Sequence, residues 1–208
     1  PSRDHKVLSN INLVFKKKEK IGIIGSTGSG KTTFVDILTG LLKPSSGEVL
    51  VDGKNINSNL KSWHSFIGYV PQKVFLNSDS LRKNIAFHLL DEKISDNKIL
   101  QSIKGAQLDL FVQSLEDGQN TKVGEDGKQL SGGQRQRIGI ARILYKNPEI
   151  FVFDEATSAL DEQTENNFIN VVENLSKEKT IFIISHKKSI LKICDKVYKV
   201  ENSKMEKI

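Results

Sequence analysis

Apolar residues in this chain fall into short runs and longer spaced stretches, and the two patterns alternate. Ile21, Ile23 and Ile24 form a brief run, which reads as a buried strand. Phe34, Ile37, Leu38 and Leu41 then recur at i, i+3, i+4 and i+7, one face of a helix. Upstream, Ile11, Leu13 and Phe15 alternate with Asn12 and Val14, which predicts an early strand, and 16–20 reads as a polar turn. Downstream, Lys43-Pro44-Ser45-Ser46-Gly47 is a turn, followed by a strand over 48–51 and a second turn at Asp52-Gly53. Ile67–Val70 is another short strand, closed by Pro71-Gln72.

From about Lys73 to Pro148 strand-like runs vanish, and helical patterns occupy 81–87, 94–106 and 132–145. Ile150–Phe153 restores a fully apolar strand. A helix follows, with Asp161, Glu162 and Glu165 in its first turn and Phe168, Val171, Val172 and Leu175 on one face. Thr180–Ile184 is one more buried strand, and 197–208 reads as a hairpin turning at Asn202-Ser203. Strands separated by helices predict an α/β domain with a mostly parallel sheet and ligands at the strands' C-terminal ends. The helical middle divides the chain into a first core part over 1–72, an inserted subdomain over 73–148 and a second core part over 149–208.

Composition narrows this only slightly. A chain of 208 residues buries a proper core. Its 37% hydrophobic and 27% charged residues are ordinary for a globular protein. No apolar run reaches the length of a membrane span, and the first residues show no signal-peptide pattern. The single cysteine, Cys194, excludes an internal disulfide, fits a reducing compartment and reads as a small packing residue. The net charge of +6 opens the question of nucleic acid or an anionic surface. The lysines are scattered and no aromatic-interleaved basic stripe occurs, so a solvated surface is the favoured reading and no nucleic-acid partner is expected.

Between the first strand and its helix lies Gly25-Ser26-Thr27-Gly28-Ser29-Gly30-Lys31-Thr32, a full match to the phosphate-binding P-loop G-x-x-x-x-G-K-[ST]. Its glycines let successive backbone N–H groups point at a phosphate, and the helix adds its positive N-terminal end. Lys31 is placed to reach the β- and γ-phosphates, and the Thr32 hydroxyl to ligate Mg²⁺. A plain glycine turn is the bland alternative, and the strand and helix flanks argue against it. Asp154 and Glu155 follow four apolar residues, so both carboxylates emerge at a buried strand's C-terminal edge. Asp154 fits the acid that holds Mg²⁺ with Thr32, and Glu155 the group that orients or deprotonates an attacking water. Leu130-Ser131-Gly132-Gly133-Gln134 before a helix is a second anion-binding design. One triphosphate does not need both cradles from one molecule, so a second copy is inferred to supply it.

Together with Gln72 in Y-V-P-Q, Ser158-Ala159-Leu160-Asp161 and Ile184-Ser185-His186, these motifs occur in the order and spacing of ATP-binding cassette ATPases. The resemblance covers essentially the whole chain. It implies a P-loop NTPase fold: a RecA-like core with a mostly parallel central sheet, an antiparallel β part at the N-terminal side and an inserted α-helical subdomain. It also implies that Gln72 senses Mg²⁺ and the attacking water, that His186 contacts the γ-phosphate, and that Asp161 couples two sites across a dimer. ATP would be held by Gly25–Thr33, Thr33 included. In a head-to-tail homodimer, Ser131, Gly132, Gly133 and Gln134 of the other copy would close that ATP.

Thr121-Lys122-Val123-Gly124-Glu125-Asp126-Gly127 looks like the T-x-V-G-E-x-G segment of exporter-type cassettes, which meets transmembrane domains. The expectation is therefore a Mg²⁺-dependent ATPase domain of a membrane exporter or flippase, with transmembrane domains fused N-terminally, at the cytoplasmic face of the membrane. The stretches 60–72 and 84–87 resemble lipid-linked oligosaccharide flippases. The adenine-stacking aromatic of related cassettes would fall immediately before Pro1, so the chain reads as starting mid-domain. A soluble cassette ATPase acting on DNA or ribosomes is one rival reading, disfavoured by the exporter-like segment and the compact helical subdomain; a separate importer subunit is another, expected to carry its own complete N-terminus.

Overall fold

The computed structural model describes residues 6–157 and 160–208, with the side chain of Asp126 set aside. Its strands are β1 (Lys20–Ile24), β2 (Leu50–Val51), β3 (Lys54–Asn55), β4 (Ile67–Val70), β5 (Ile150–Asp154), β6 (Thr180–Ile184), β7 (Lys196–Glu201) and β8 (Lys204–Lys207). The helices are α1 (Lys31–Thr39), α2 (Leu60–Phe66), α3 (Leu81–Ile85), α4 (Asp96–Gly105), α5 (Asp109–Gln113), α6 (Gly132–Lys146), α7 (Glu162–Ser176) and α8 (Lys188–Leu191). They form two compact units, one of residues 1–68, 149–154 and 176–208, the other of 69–148 and 155–175.

The first unit is built on a six-stranded sheet in the order β4-β5-β6-β1-β7-β8. The ladders β5–β6, β6–β1 and β1–β7 are parallel, and the terminal hairpin β7–β8 is antiparallel. The fold class expected from the sequence is thus the one found. Apolar strands such as Ile-Phe-Val-Phe suit a sheet covered on both faces. Phe151 and Phe153 are fully buried, each contributing about 2 kcal/mol over an exposed position. The hairpin turns at Asn202-Ser203 as expected, with φ of 49° and 62° at those two residues, the left-handed pair that matches strand twist. A second two-residue hairpin turn joins β2 and β3 at Asp52 and Gly53, φ 48° and 78°.

One expectation is corrected here. Ile11–Phe15 forms no strand, although its alternation survives as half-buried Ile11, Leu13 and Phe15 against exposed Asn12 and Val14. The segment finds no ladder partner among the described residues, and it is held by its side chains instead. Phe15 meets Phe182, Tyr198 and Phe34 edge-on at 5.1, 5.6 and 6.4 Å. The pattern also hid α2, whose only buried side chain is Trp63. That indole donates to the Leu38 carbonyl at 3.0 Å, and His64 lies 3.1 Å from the Thr39 carbonyl, so α2 satisfies the end of α1.

The second unit is helical, with α3 and α4 packed on α6. Expected helices over 81–87, 94–106 and 132–145 appear within two residues of those bounds, as α3, α4 and α6. Ile99, Ile103, Ile138 and Ile140 fill its centre. Arg142 is a half-buried cation in α6, its pKa lowered by burial. It donates to the carbonyls of Asn84 (2.9 Å) and Phe75 (3.2 Å) and lies 4.3 Å over the Phe87 ring. The segment over 121–127 is tied down by a bridge between Ser80 and Lys122 and by the Val123 N–H donating to the Asp79 carbonyl at 3.1 Å.

Candidate functional site

In the first unit the P-loop joins β1 to α1. Gly25, Gly28 and Gly30 hold φ of 156°, 80° and 108°, a backbone that side-chain-bearing residues rarely adopt. A Cβ on Gly25 would lie 2.5 Å from the Val200 carbonyl oxygen and 2.6 Å from Ser29 Oγ, so that position admits nothing larger. Gly30 caps α1 with no side-chain hydrogen bond, and no acidic residue occupies the first turn. The leading N–H groups of α1 are therefore left to an anion. The buried Ser29 hydroxyl likewise has no hydrogen-bond partner among the described residues. The buried Lys31 ammonium curls over the loop, donating to the Gly25 carbonyl at 2.5 Å and to that of Ser26 at 3.0 Å. Ser26, Thr27, Gly28 and Thr32 are exposed and Thr33 half-buried. An orphan hydroxyl, uncapped amides and a lysine that, among the described residues, is held by loop carbonyls fit a polyphosphate.

Sheet register brings other expected residues to the same edge. Asp154 pairs with Ile184, which in turn pairs with Ile23 at the end of β1. With strands about 4.8 Å apart, the buried Asp154 stands roughly 10 Å from the strand that enters the P-loop. Ser185 donates its N–H to the Ile23 carbonyl at 3.3 Å, which sets the exposed His186 one residue beyond that edge.

The second unit gathers the remaining candidates. Gln72 Nε2 donates to Glu155 Oε2 at 2.7 Å. Glu155 adopts φ 48°, a left-handed backbone uncommon for a residue with a side chain. Gln136 is 4% exposed, and its Nε2 lies 3.4 Å from both the Gln72 and the Glu155 carbonyl oxygens. Sequence reasoning missed Gln136, yet the signal was present: it shares the buried face of α6 with Gly139, Ile140 and Ile143 at helical spacing.

At the start of α6, Ser131 and Gln134 form a reciprocal capping box, with the Gln134 N–H donating to Ser131 Oγ at 3.1 Å and the Ser131 N–H to Gln134 Oε1 at 2.8 Å. Both side chains are thereby occupied, leaving the backbone N–H groups of Gly132 and Gly133 without an intrahelical acceptor. Asp161 precedes α7 and accepts from the Thr164 N–H (2.9 Å) and hydroxyl (2.8 Å). Those two bonds, with Arg137 nearby, hold its carboxyl below the usual range. Ser158 and Ala159 of the same motif, Pro1, and the Asp126 side chain lie outside the described residues. Among the described residues no group of three or more His, Cys, Asp or Glu could hold a metal, and no helix is long and apolar enough to cross a membrane.

A glycine loop between a parallel strand and an uncapped helix, with an acid ending a nearby strand of the same sheet, defines a P-loop nucleotide-binding domain. A family profile of ABC transporters matches residues 8–158. The chain is 39% identical over 203 residues to the ATP-dependent lipid A-core flippase of Francisella tularensis subsp. tularensis, covering 97% of this chain and 33% of the relative. It is 37% identical over 198 residues to ABC transporter B family member 13 of Arabidopsis thaliana, covering 95% of this chain and 16% of that protein. A solved structure of a bacterial Atm1-family ABC exporter with ATP bound matches at TM-score 0.93 and 32% identity, covering 99% of this chain and 36% of that one. The chain belongs to the ABC transporter family. It spans about a third or less of the length of these relatives.

Proposed function

We propose that this chain is the ATP-binding and ATP-hydrolysing motor domain of a membrane exporter or flippase, working as a head-to-tail dimer. The observation that carries this reading is the P-loop, where an orphan buried hydroxyl and the uncapped end of α1 meet a lysine held by loop carbonyls. Gly25–Thr33 hold the phosphates, with Lys31 moving from the loop carbonyls to phosphate oxygens. Thr32, Asp154 and Gln72 are hard oxygen donors of the kind Mg²⁺ takes alongside phosphate oxygens. When bound, that ion would neutralise charge on the transferred phosphoryl group. Glu155, the residue after Asp154, orients and deprotonates the attacking water while the Gln72 amide fixes its carboxylate. His186 contacts the γ-phosphate. Catalysis is mostly positioning plus charge stabilisation.

Ser131–Gln134 of a second copy close the site. The capping box holds the helix end open so that the Gly132 and Gly133 N–H groups and the α6 dipole face the phosphate, and Asp161 links the two sites. Transmembrane domains fused N-terminally would engage the 121–127 segment and the exposed side chains of Phe75, Leu89 and Leu90. On this reading the domain works at the cytoplasmic face of a membrane, and the likeness to a flippase supports a lipid-borne substrate.

Glu155→Gln tests the reading in the full-length transporter. ATP binding should persist, turnover should fall at least about a hundredfold, and a closed dimer should accumulate in sedimentation. Unchanged hydrolysis removes Glu155 from its role.

A further inference from the structure

We infer that Gln136 is a positioning residue, tying the anion-binding helix α6 to the group that activates water; this rests on the reading of Glu155 above. The amide of Gln136 is buried, and its two N–H groups reach two backbone carbonyls, those of Gln72 and Glu155, at 3.4 Å each. The side chain of Gln72 closes the figure by donating to Glu155 Oε2 at 2.7 Å. Glu155 is therefore held at both ends, its backbone by Gln136 and its carboxylate by Gln72. The backbone needs holding because φ 48° is a conformation a glutamate keeps only when its surroundings impose it. A carboxylate swung on a relaxed backbone would miss the attacking water, and misplacement by about 1 Å costs on the order of a hundredfold in rate.

The helix that carries Gln136 gives the arrangement a second consequence. Gln136 lies five residues past Ser131, in the second turn of a helix whose first turn is stiffened by the capping box. An anion drawn to the Gly132 and Gly133 N–H groups pulls on a rigid helix end. That pull arrives at Gln136, and through it at both carbonyls. Occupancy of the signature end by one copy's nucleotide would thus set the water-activating carboxylate of the copy that contributes the signature.

The test is steady-state ATPase of the full-length transporter carrying Gln136→Met, which keeps the length and loses the donors. We expect kcat to fall about tenfold or more with KM for ATP within about twofold. Gln72→Ala and the double variant complete a cycle, in which the double should be no slower than the slower single variant. A merely structural role predicts multiplied losses and a raised KM, and that result overturns the inference. Should Gln136→Met fail to fold, Gln136→Asn keeps the amide one methylene short and should give the same kcat-only loss. Wild-type kcat in the variant that folds overturns the inference. Glu155→Gln in the same preparation separates the two claims: an inactive Glu155→Gln beside a fully active Gln136→Met sinks this inference alone, whereas an active Glu155→Gln sinks the reading it rests on.

Discussion

Asn84 is a buried polar hub whose removal should be costly. The residue is 1% exposed, and its side chain closes the 77–80 loop onto α3. Oδ1 accepts from the Asn77 N–H at 2.9 Å and, at 3.5 Å, from Arg142 Nη2, while Nδ2 donates to the Asn77, Ser80 and Asp79 carbonyls at 3.0, 3.1 and 3.4 Å. Asn84→Ala deletes the three shorter of these bonds, each worth about 1 kcal/mol net, and the two long ones are counted as nothing. Asn77 is exposed and water can reach its backbone, so no further penalty for stranded groups is added. The expected loss is about 3 kcal/mol, and for a chain of this size each kcal/mol lowers Tm by roughly 2–4 °C. Thermal melts followed by circular dichroism should therefore show a fall of about 6–12 °C.

If Asn84→Ala melts within about 2 °C of the parent, below the shift set by one hydrogen bond, water replaces these bonds and the hub argument is wrong.

Other outcomes follow from the same geometry. Lys31→Ala should weaken ATP binding at least about tenfold in calorimetry, since a charge-assisted contact to phosphate is worth about 1.5–3 kcal/mol; wild-type affinity would count against the P-loop assignment. Burial, with Asp195 adding to it, pushes the Cys194 thiol up to about 12, so thiol reagents at pH 8 should label it only after unfolding. Its sulfur packs against Gly22 of β1, where an added Cβ would lie 3.2 Å from it, and equal labelling rates for native and denatured chain would contradict that packing. The Thr164 N–H and hydroxyl keep Asp161 ionised at unusually low pH. That stabilisation is present above the unfolded pKa and lost as pH falls through the folded one. Asp161→Asn should thus lower Tm at pH 7 and make little difference at pH 2, and an equal drop at both would refute the cap.

Much of the site was legible because its determinants are local. The strand, glycine loop and helix of the P-loop are consecutive, and positive φ at Gly25, Gly28 and Gly30 is what that spacing demands. The apolar runs of β5 and β6 and the Asn202-Ser203 turn likewise carry their own instructions. Where the pattern depended on distant partners, it misled or stayed silent. Ile11–Phe15 alternates like a strand, yet the places beside β1 are taken by β6 and β7. Only the parallel register sets Asp154 level with Ile23 through Ile184, because register is settled by pairing between strands far apart in the chain. The left-handed backbone of Glu155 and the double reach of Gln136 have the same character. Local propensity opposes the first and is indifferent to the second, and both exist because three segments 64 and 19 residues apart converge on one buried amide.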